Sequence, residues 1–387
     1  MRKRIALVLV SLLVITFSFA QTTDFLELVR SSTPQQIQAA MKQGADLKAV
    51  DQSGGTALMY AAVYNRNPEV IATLLKAGAD LDARDKHGWT PLIWAAIGNQ
   101  NPEVVSTLLK AGADINARDK NSWTTLMHAA GFNRNPEVIT TLLKAGGDLN
   151  AQSKDGMTAL MFAARYNWNP EVITTLLKAG ADLSAKDTNS WTTLTYAAGW
   201  NQNPEVIKTL LNAGADLNAR DKSGWTTLMY AAGWNQNPQV IKTLLNAGAD
   251  LNAESRDGMI ALMAAARYSR TPEVIATLLK AGADLDDRDN NGWTTLMWAA
   301  TGNQNTEVTT TLLKAGADPN AQGKDGMTAL MEAARYNKNP EVISILLKAG
   351  ADRKAKSKAG KTAFDYVQGN EKLKATDAVK QLEEASK

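Results

Sequence analysis

The sequence predicts an all-α solenoid, built from about ten stacked helix-turn-helix units that are joined by extended loops and capped at both ends. Three observations predict it. A Gly followed two residues later by Asp recurs every 34 residues, from Gly44 to Gly350. A Leu-x-x-Ala-Ala motif opens each unit, and Asn-Pro divides most of the units in two. A fixed period in this range is typical of stacked repeats, because one unit alone cannot bury its own apolar face.

The first helix of a unit is best seen in the stretch Asp221 to Glu254. Leu228, Ala231 and Ala232 stand at positions i, i+3 and i+4, which form one face of a short helix. Both alanines are small, so a neighbouring helix can approach this face closely. We therefore expect the first helix to pack against other helices through these residues.

The second helix is predicted to begin after a short turn. Asn237 is expected to cap its exposed N–H groups, and Pro238 suits the first helical position, where a missing N–H costs nothing. Gly248 is expected just past the helix end, in the left-handed conformation that Gly adopts readily. The predicted apolar stripe of this helix consists of Val240, Ile241, Leu244 and Leu245.

Together these motifs resemble the ankyrin repeat over nearly the whole chain. The matching patterns are T-x-L-x-x-A-A, V-I-x-x-L-L-x-x-G-A-D-L-N-A and D-x-x-G-W-T. The resemblance implies a binding surface formed by the residue after the loop Gly and the two residues after Ala-Ala. In this chain those residues are Trp225, Gly233 and Trp234 in one unit and Met157, Arg165 and Tyr166 in another.

The chain departs from the family pattern in two ways. The family's usual unit has about 33 residues, and here the extra residue lies in the turn, where Asn-x-Asn-Pro replaces Gly-His. The His of the family's T-P-L-H motif is replaced, in most units by Met, as at Met229. We therefore expect the hydrogen bonds that this His would make between repeats to be absent, with Met filling the space instead.

The predicted organisation is a signal peptide at 1–20, an N-terminal capping repeat at 21–50, nine repeats at 51–356 and C-terminal capping helices at 357–387. The first 20 residues combine three basic residues, an apolar run and small residues before Gln21, which predicts cleavage after Ala20 and export to a periplasm or the medium. The alternative is a retained membrane anchor, although a spanning helix needs about 20 apolar residues. After cleavage no membrane span is expected.

Charge and composition exclude several classes of function. The chain has 42 basic and 39 acidic residues, and removal of three basic residues with the signal peptide leaves 39 of each. Nucleic-acid binding needs a basic face, so no nucleic-acid partner is expected. Cys is absent from the sequence, which rules out disulfides, thiolate chemistry and zinc–thiolate sites.

No enzymatic activity, cofactor or metal is expected. His87 and His128 lack a recurring acid–base partner, and no phosphate-binding loop or catalytic motif is present in the sequence. Residues 287–292 match the first half of a calcium-binding EF-hand loop, but Trp298 stands where the loop requires Glu.

Aromatic residues recur at three places in a unit. Tyr230 and Trp234, the first and second ring positions, lie four residues apart on the first helix and off its predicted core face. Trp225 occupies the loop position just before that helix. Other units place at the two ring positions Tyr60 and Tyr64, His128 and Phe132, Phe162 and Tyr166, or Tyr196 and Trp200, while Trp94 and Trp298 precede Gly98 and Gly302. The loop position also holds Trp89, Trp123, Trp191 and Trp293.

Three units differ together from the rest. They carry Asp-Gly-Met at 155–157, 257–259 and 325–327, and the same units carry Ala-Arg-Tyr. Aromatic and Arg side chains are enriched at binding hot spots. The predicted partner-binding residues are therefore Trp89, Trp123, Arg165, Tyr166, Trp191, Trp200, Trp225, Trp234, Arg267, Tyr268, Trp293, Arg335 and Tyr336.

The sequence favours an exported, monomeric, non-enzymatic scaffold that binds a partner protein through these rings. The alternative function is binding of a repetitive polymer such as a cell-wall glycan, because the aromatic pattern is nearly the same in each unit. A structural alternative is that the rings wedge between repeats. Rings interact over about 4.5–7 Å, which is less than the spacing of about 10 Å between repeats, so some aromatic area is expected to remain exposed.

Overall fold

A computed structural model describes residues 25–383, which lie in two compact units that divide between Thr188 and Asn189. Residues 25–28 are helical. The further helices of unit 1 are α1 Pro34–Lys42, α2 Ala57–Tyr64, α3 Pro68–Lys76, α4 Pro91–Gly98, α5 Pro102–Lys110, α6 Thr125–Phe132, α7 Pro136–Lys144, α8 Ala159–Tyr166 and α9 Pro170–Lys178. Those of unit 2 are α10 Thr193–Trp200, α11 Pro204–Asn212, α12 Thr227–Trp234, α13 Pro238–Asn246, α14 Ala261–Tyr268, α15 Pro272–Lys280, α16 Thr295–Gly302, α17 Thr306–Lys314, α18 Ala329–Tyr336, α19 Pro340–Lys348, α20 Ala363–Val367 and α21 Asp377–Glu383.

Within each unit the helices stack as the all-α repeat prediction requires. A first helix packs against the first helix of the next repeat, as α12 does against α14, and a second helix packs against the next second helix, as α13 does against α15. Between residues 25 and 383 no strand is formed, and the loops contribute only isolated antiparallel bridges such as Arg220 to Thr226. The predicted fold class is confirmed.

The first helix is capped at its N-terminus by Thr. The hydroxyl of Thr226 accepts a hydrogen bond from the N–H of Met229 at 3.3 Å, and the sulfur of Met229 accepts one from the N–H of Thr226 at 3.4 Å. Sulfur is only a weak acceptor, yet this pairing leaves neither backbone donor free. Met at this position therefore completes a cap as well as filling space.

The second helix begins and ends as predicted. Asn237 accepts a hydrogen bond from the N–H of Gln239 at 3.0 Å, and Pro238 occupies the first turn. Gly248 has a φ of +91°, the left-handed conformation expected after the helix end. Leu245 is only half-buried, whereas the other predicted stripe residues, Val240, Ile241 and Leu244, are fully buried.

Side-chain hydrogen bonds between repeats are made by an Asn that follows the first helix, a contact that the repeat motifs did not predict. The amide nitrogen of Asn235 donates to the carbonyls of Ala198 and Asn201 in the preceding repeat, both at 2.8 Å, and its oxygen accepts from the N–H of Asn237 at 2.9 Å. The last carbonyls of a helix lack partners within the helix. The same bonds to the preceding repeat recur at Asn65, Asn99, Asn133, Asn303, Asn337 and Asn370.

Neighbouring loops are also tied together through the backbone. The N–H of Arg256 donates to the carbonyl of Ser223 at 3.0 Å, and the N–H of Asn290 donates to the carbonyl of Asp257 at 3.0 Å. The loop glycine Gly258 has a φ of +77°, and a Cβ there would lie 2.7 Å from the nitrogen of Asn290. Only Gly allows the loops to approach this closely.

A pair of Gly substitutions should separate the cost of a positive φ from the cost of a clash between neighbouring loops. Gly258→Ala and Gly248→Ala both place Ala at positive φ, which costs roughly 1–2 kcal/mol. No atom lies within 4 Å of the Cβ position at Gly248, so only Gly258→Ala adds a clash with the next loop, worth about 1–3 kcal/mol more. Urea unfolding followed by circular dichroism measures the difference, and equal losses in the two variants would show that the inter-loop contact is unimportant.

The described parts of both predicted caps are ordered helices. Phe25, Leu26 and Val29 are buried in the N-terminal cap. In the C-terminal cap Ala378 and Leu382 are buried, whereas Val379 is half-buried. The predicted signal peptide at 1–20 lies outside the described residues. Over residues 25–383 no helix combines the length and hydropathy needed to cross a membrane.

Candidate functional site

The first ring position is tied to the loop of its own repeat. The hydroxyl of Tyr230 donates to a carboxylate oxygen of Asp221 at 2.6 Å, and the other oxygen of Asp221 accepts from the N–H groups of Ser223 and Trp225, both at 2.8 Å. The same loop-to-helix bond joins Tyr60 to Asp51, Trp94 to Asp85 and His128 to Asp119. The loop thereby fixes both the first ring position and the backbone that carries the loop tryptophan.

The expectation that the first ring position lies off the core is wrong in several repeats. Tyr230 is 6% exposed and Tyr196 is 3% exposed, while Phe162 and His128 are fully buried. Met157 and Gly233, which the family resemblance placed on the binding surface, are also buried. Packing between neighbouring first helices covers these positions, because the Ala-Ala pairs bring the helices close together.

The second ring position forms a continuous row in unit 2. The ring centroids of Trp200 and Trp234 are 6.3 Å apart with their planes at 23°, and those of Trp234 and Tyr268 are 5.0 Å apart at 18°. Trp234 is 38% exposed and Tyr268 is 37% exposed. Rings of successive repeats contact each other, because these long side chains span the gap between repeats. They do not fully cover each other, and the row keeps part of its area open to solvent, as expected.

The loop tryptophans line one side of this row and are half-buried. Trp191 stacks on Trp200 with the centroids 5.2 Å apart, and Trp225 lies 5.4 Å from Trp234 and 6.1 Å from Tyr268. The loop tryptophans are therefore both wedged against their neighbours and partly exposed. We call the five rings of Trp191, Trp200, Trp225, Trp234 and Tyr268 the aromatic row of unit 2.

Unit 1 carries a shorter version of the same arrangement. Phe132 and Tyr166 stack with the centroids 5.4 Å apart, and both are more than a third exposed. The half-buried loop residue Trp123 packs edge-on against Phe162 at 4.5 Å, and Trp89 packs against His128 at 5.1 Å. The predicted loop residues thus contact the next repeat rather than standing free.

The predicted Arg residues each lie beside the Tyr that follows them. The guanidinium carbons of Arg165, Arg267 and Arg335 lie 5.0, 4.9 and 4.8 Å from the centroids of Tyr166, Tyr268 and Tyr336. Cation–π contacts at such distances hold a guanidinium in position. Beyond Tyr268 the second ring position is Gly302, and the next ring, Tyr336, is 49% exposed. The last loop tryptophan, Trp293, contacts Trp298 at 4.7 Å.

Two buried carboxyl groups lie next to this surface. Burial would raise the pKa of Asp119, but hydrogen bonds from His128 and from the N–H groups of Trp123 and Asn121 outweigh it and lower the pKa. Glu332, at the first ring position of α18, is 1% exposed, and burial raises its pKa to about 7. Neither carboxylate opens to solvent, and no cluster of three metal-binding side chains occurs in the described part of the chain.

Comparison with known families identifies the fold. A family model described as ankyrin repeats in three copies matches residues 27–119, 97–187, 126–221, 169–255, 228–323 and 296–382. The chain belongs to the ankyrin-repeat family. Ankyrin repeats are interaction scaffolds for proteins and are typically non-enzymatic. Among curated proteins no match is found.

Proposed function

We propose that this ankyrin-repeat chain is exported and binds a partner protein through the aromatic surfaces of its first helices and loops. The observation that carries the proposal is the aromatic row of unit 2, in which Trp234 and Tyr268 remain more than a third exposed although they are surrounded by other rings. Exposed aromatic area on a rigid scaffold is the usual basis of a binding hot spot. The exposed stack of Phe132 on Tyr166 supports a similar role for unit 1.

Export is proposed from residues 1–20, whose basic start, apolar run and small residues before Gln21 fit a cleaved signal peptide. Expression in a bacterium followed by fractionation and intact-mass measurement tests it. The expected product is a soluble exported chain that begins at Gln21. An intact chain of full mass in the membrane fraction would instead favour the retained anchor.

The alternative is a glycan partner, motivated by the near-identity of the aromatic pattern from repeat to repeat. A sugar ring packs its C–H groups on the negative face of an aromatic ring. In the aromatic row the faces of Trp234 are taken by Trp200 and Tyr268 from the two adjacent repeats. Less of the ring face is therefore open to a sugar, which supports a protein partner better than a glycan.

A crosslinking capture from the native compartment tests the proposed protein partner. The double variant Trp200→Ala, Trp234→Ala should lose the captured protein, with affinity reduced about 30-fold or more if both rings belong to a hot spot. Trp168→Ala is the matched control, because Trp168 is 55% exposed but lies in the turn between α8 and α9. Unchanged capture by the folded double variant would exclude the proposed surface. A saturable fluorescence change on titration with cell-wall glycan fragments would favour the alternative.

A further inference from the structure

The first helices of unit 2 carry very few charges. Among α10, α12, α14, α16 and α18 the charged side chains are Arg267, Glu332 and Arg335. Glu332 is buried, whereas Arg267 is half-buried and Arg335 is exposed. The second helices differ, since most carry Glu in their first turn and end with Lys. On these five helices the solvent-facing charge is therefore cationic and is concentrated at two points, whereas the short α20 of the C-terminal cap carries the exposed Asp365.

Arg267 is held in place by rings rather than by acids. Its guanidinium carbon lies 4.5 Å from the centroid of Trp298 in the next repeat and 4.9 Å from that of Tyr268. No described residue forms an ion pair or side-chain hydrogen bond with it. A guanidinium has five N–H donors arranged to bind a carboxylate through two parallel hydrogen bonds. The rings restrict the side chain, so little entropy is lost when a ligand binds.

Arg335 repeats this arrangement two repeats further on. Its guanidinium carbon lies 4.8 Å from the centroid of Tyr336 and 5.4 Å from that of Tyr366. It too forms no ion pair or side-chain hydrogen bond with any residue between 25 and 383. Between the two Arg residues the second ring position is Gly302, which is exposed and has no side chain. A ligand can therefore pass from one guanidinium to the other without meeting a ring at the second ring position.

The aromatic row that leads to Arg267 also favours an acceptor-rich ligand. The edge of an aromatic ring carries partial positive charge. Since Trp234 is stacked between rings of the two adjacent repeats, its edge is more accessible to a ligand than its faces. Carbonyl and carboxylate oxygens suit such an edge, and an extended polypeptide presents carbonyls along its length.

We propose that unit 2 recognises an extended, acidic polypeptide segment, with carboxylates bound by Arg267 and Arg335 and the backbone lying against the ring edges. The inference rests on the proposed protein-binding function and adds the chemistry of the partner. Helices of adjacent repeats pack about 8–10 Å apart, so the two Arg residues lie roughly 16–20 Å apart. An extended chain covers about 3.3 Å per residue, which places the two acidic residues about five or six positions apart.

Selection from a random library of 12-residue peptides displayed on phage tests this directly, with the chain 21–387 as the immobilised target. The expected result is enrichment of Asp and Glu, often in pairs about five or six residues apart. In the best peptide, replacing one of the paired acids by its amide should weaken binding about 10- to 100-fold, as expected for one hydrogen-bonded charged pair. Because this replacement is made in the peptide, a loss of binding cannot be caused by misfolding of the protein.

Protein variants provide the second measurement, by fluorescence anisotropy of the same peptide. Arg267→Gln and Arg335→Gln should each weaken binding about 10-fold or more and flatten its salt dependence. Arg270→Gln is the matched control, since Arg270 is exposed and stands three residues away in the turn after α14. The segment proposal is overturned if selection returns no peptides, or neutral or basic ones, or if both Arg variants bind normally.

The outcomes also separate this inference from the proposed function. Neutral peptides that depend on Trp234 but not on Arg267 would keep the aromatic surface and overturn the acidic partner. Peptides indifferent to both residues would overturn the two proposals together. A sulfated glycan or an oligonucleotide that binds more tightly than every selected peptide, with the same dependence on Arg267 and Arg335, would overturn the choice of a polypeptide.

Discussion

Asn235→Ala is expected to destabilise unit 2 by about 3 kcal/mol or more. The side chain of Asn235 is 1% exposed and satisfies two carbonyls of the preceding repeat and the N–H of Asn237. Removing it leaves two buried carbonyls and one partly buried N–H without this partner, and each buried group costs roughly 1–3 kcal/mol. Urea unfolding followed by circular dichroism measures the loss.

The control for this variant is Asn246→Ala, in which an exposed Asn at the end of α13 is truncated. A surface change of this kind should alter the free energy of unfolding by less than about 0.5 kcal/mol. If Asn235→Ala were as mild as Asn246→Ala, the buried Asn would not be what joins the repeats.

Above pH 7 the burial of Glu332 is expected to destabilise unit 2. The pKa of its carboxyl is raised from 4.5 to about 7, first by burial and then by the nearby Asp325, against the opposing effects of Arg335 and the Thr301 hydroxyl. The folded state therefore binds this proton more tightly than the unfolded state does. Its stabilising effect is complete below pH 4.5 and is lost as the pH rises through 7. The shift corresponds to about 3 kcal/mol.

The measurement is the free energy of unfolding of the wild type and of Glu332→Gln between pH 4 and 8.5. Because Gln does not titrate, the difference between the two proteins should change by about 3 kcal/mol across this range, with the variant favoured at high pH. Glu307→Gln is the control, because Glu307 is exposed on the neighbouring α17. A constant difference between wild type and Glu332→Gln would mean that the carboxyl is hydrated in the folded state.

Periodicity was enough to predict the fold because every repeat must satisfy the same local rules. The spacing of Leu228, Ala231 and Ala232 predicts a buried helix face, and the cap of Asn237 followed by Pro238 predicts the start of the next helix. Both were confirmed, since these signals act within one repeat and do not depend on which neighbour is present.

The contacts between repeats could not be predicted in the same way. A helical pattern alone placed Tyr230 outside the core, but the next first helix covers it. The role of Asn235 as a bridge was missed because the turn motif suggested only a cap. The sequence did contain a signal for this role. In most repeats a second Asn stands two residues before the capping Asn, and because one side chain is enough for the cap, the second Asn must serve another purpose. Likewise Asp221 and Tyr230 lie nine residues apart, too far for any helical rule to connect them.

Side-chain oxidation by hydroxyl radicals, with and without the captured partner, tests the central claim most directly. The account predicts that the partner protects Trp225, Trp234 and Tyr268, while Trp168 in the turn between α8 and α9 is oxidised at an unchanged rate. Protection confined to Trp168, or to residues of the second helices, with the aromatic row oxidised as in the free protein, would contradict it.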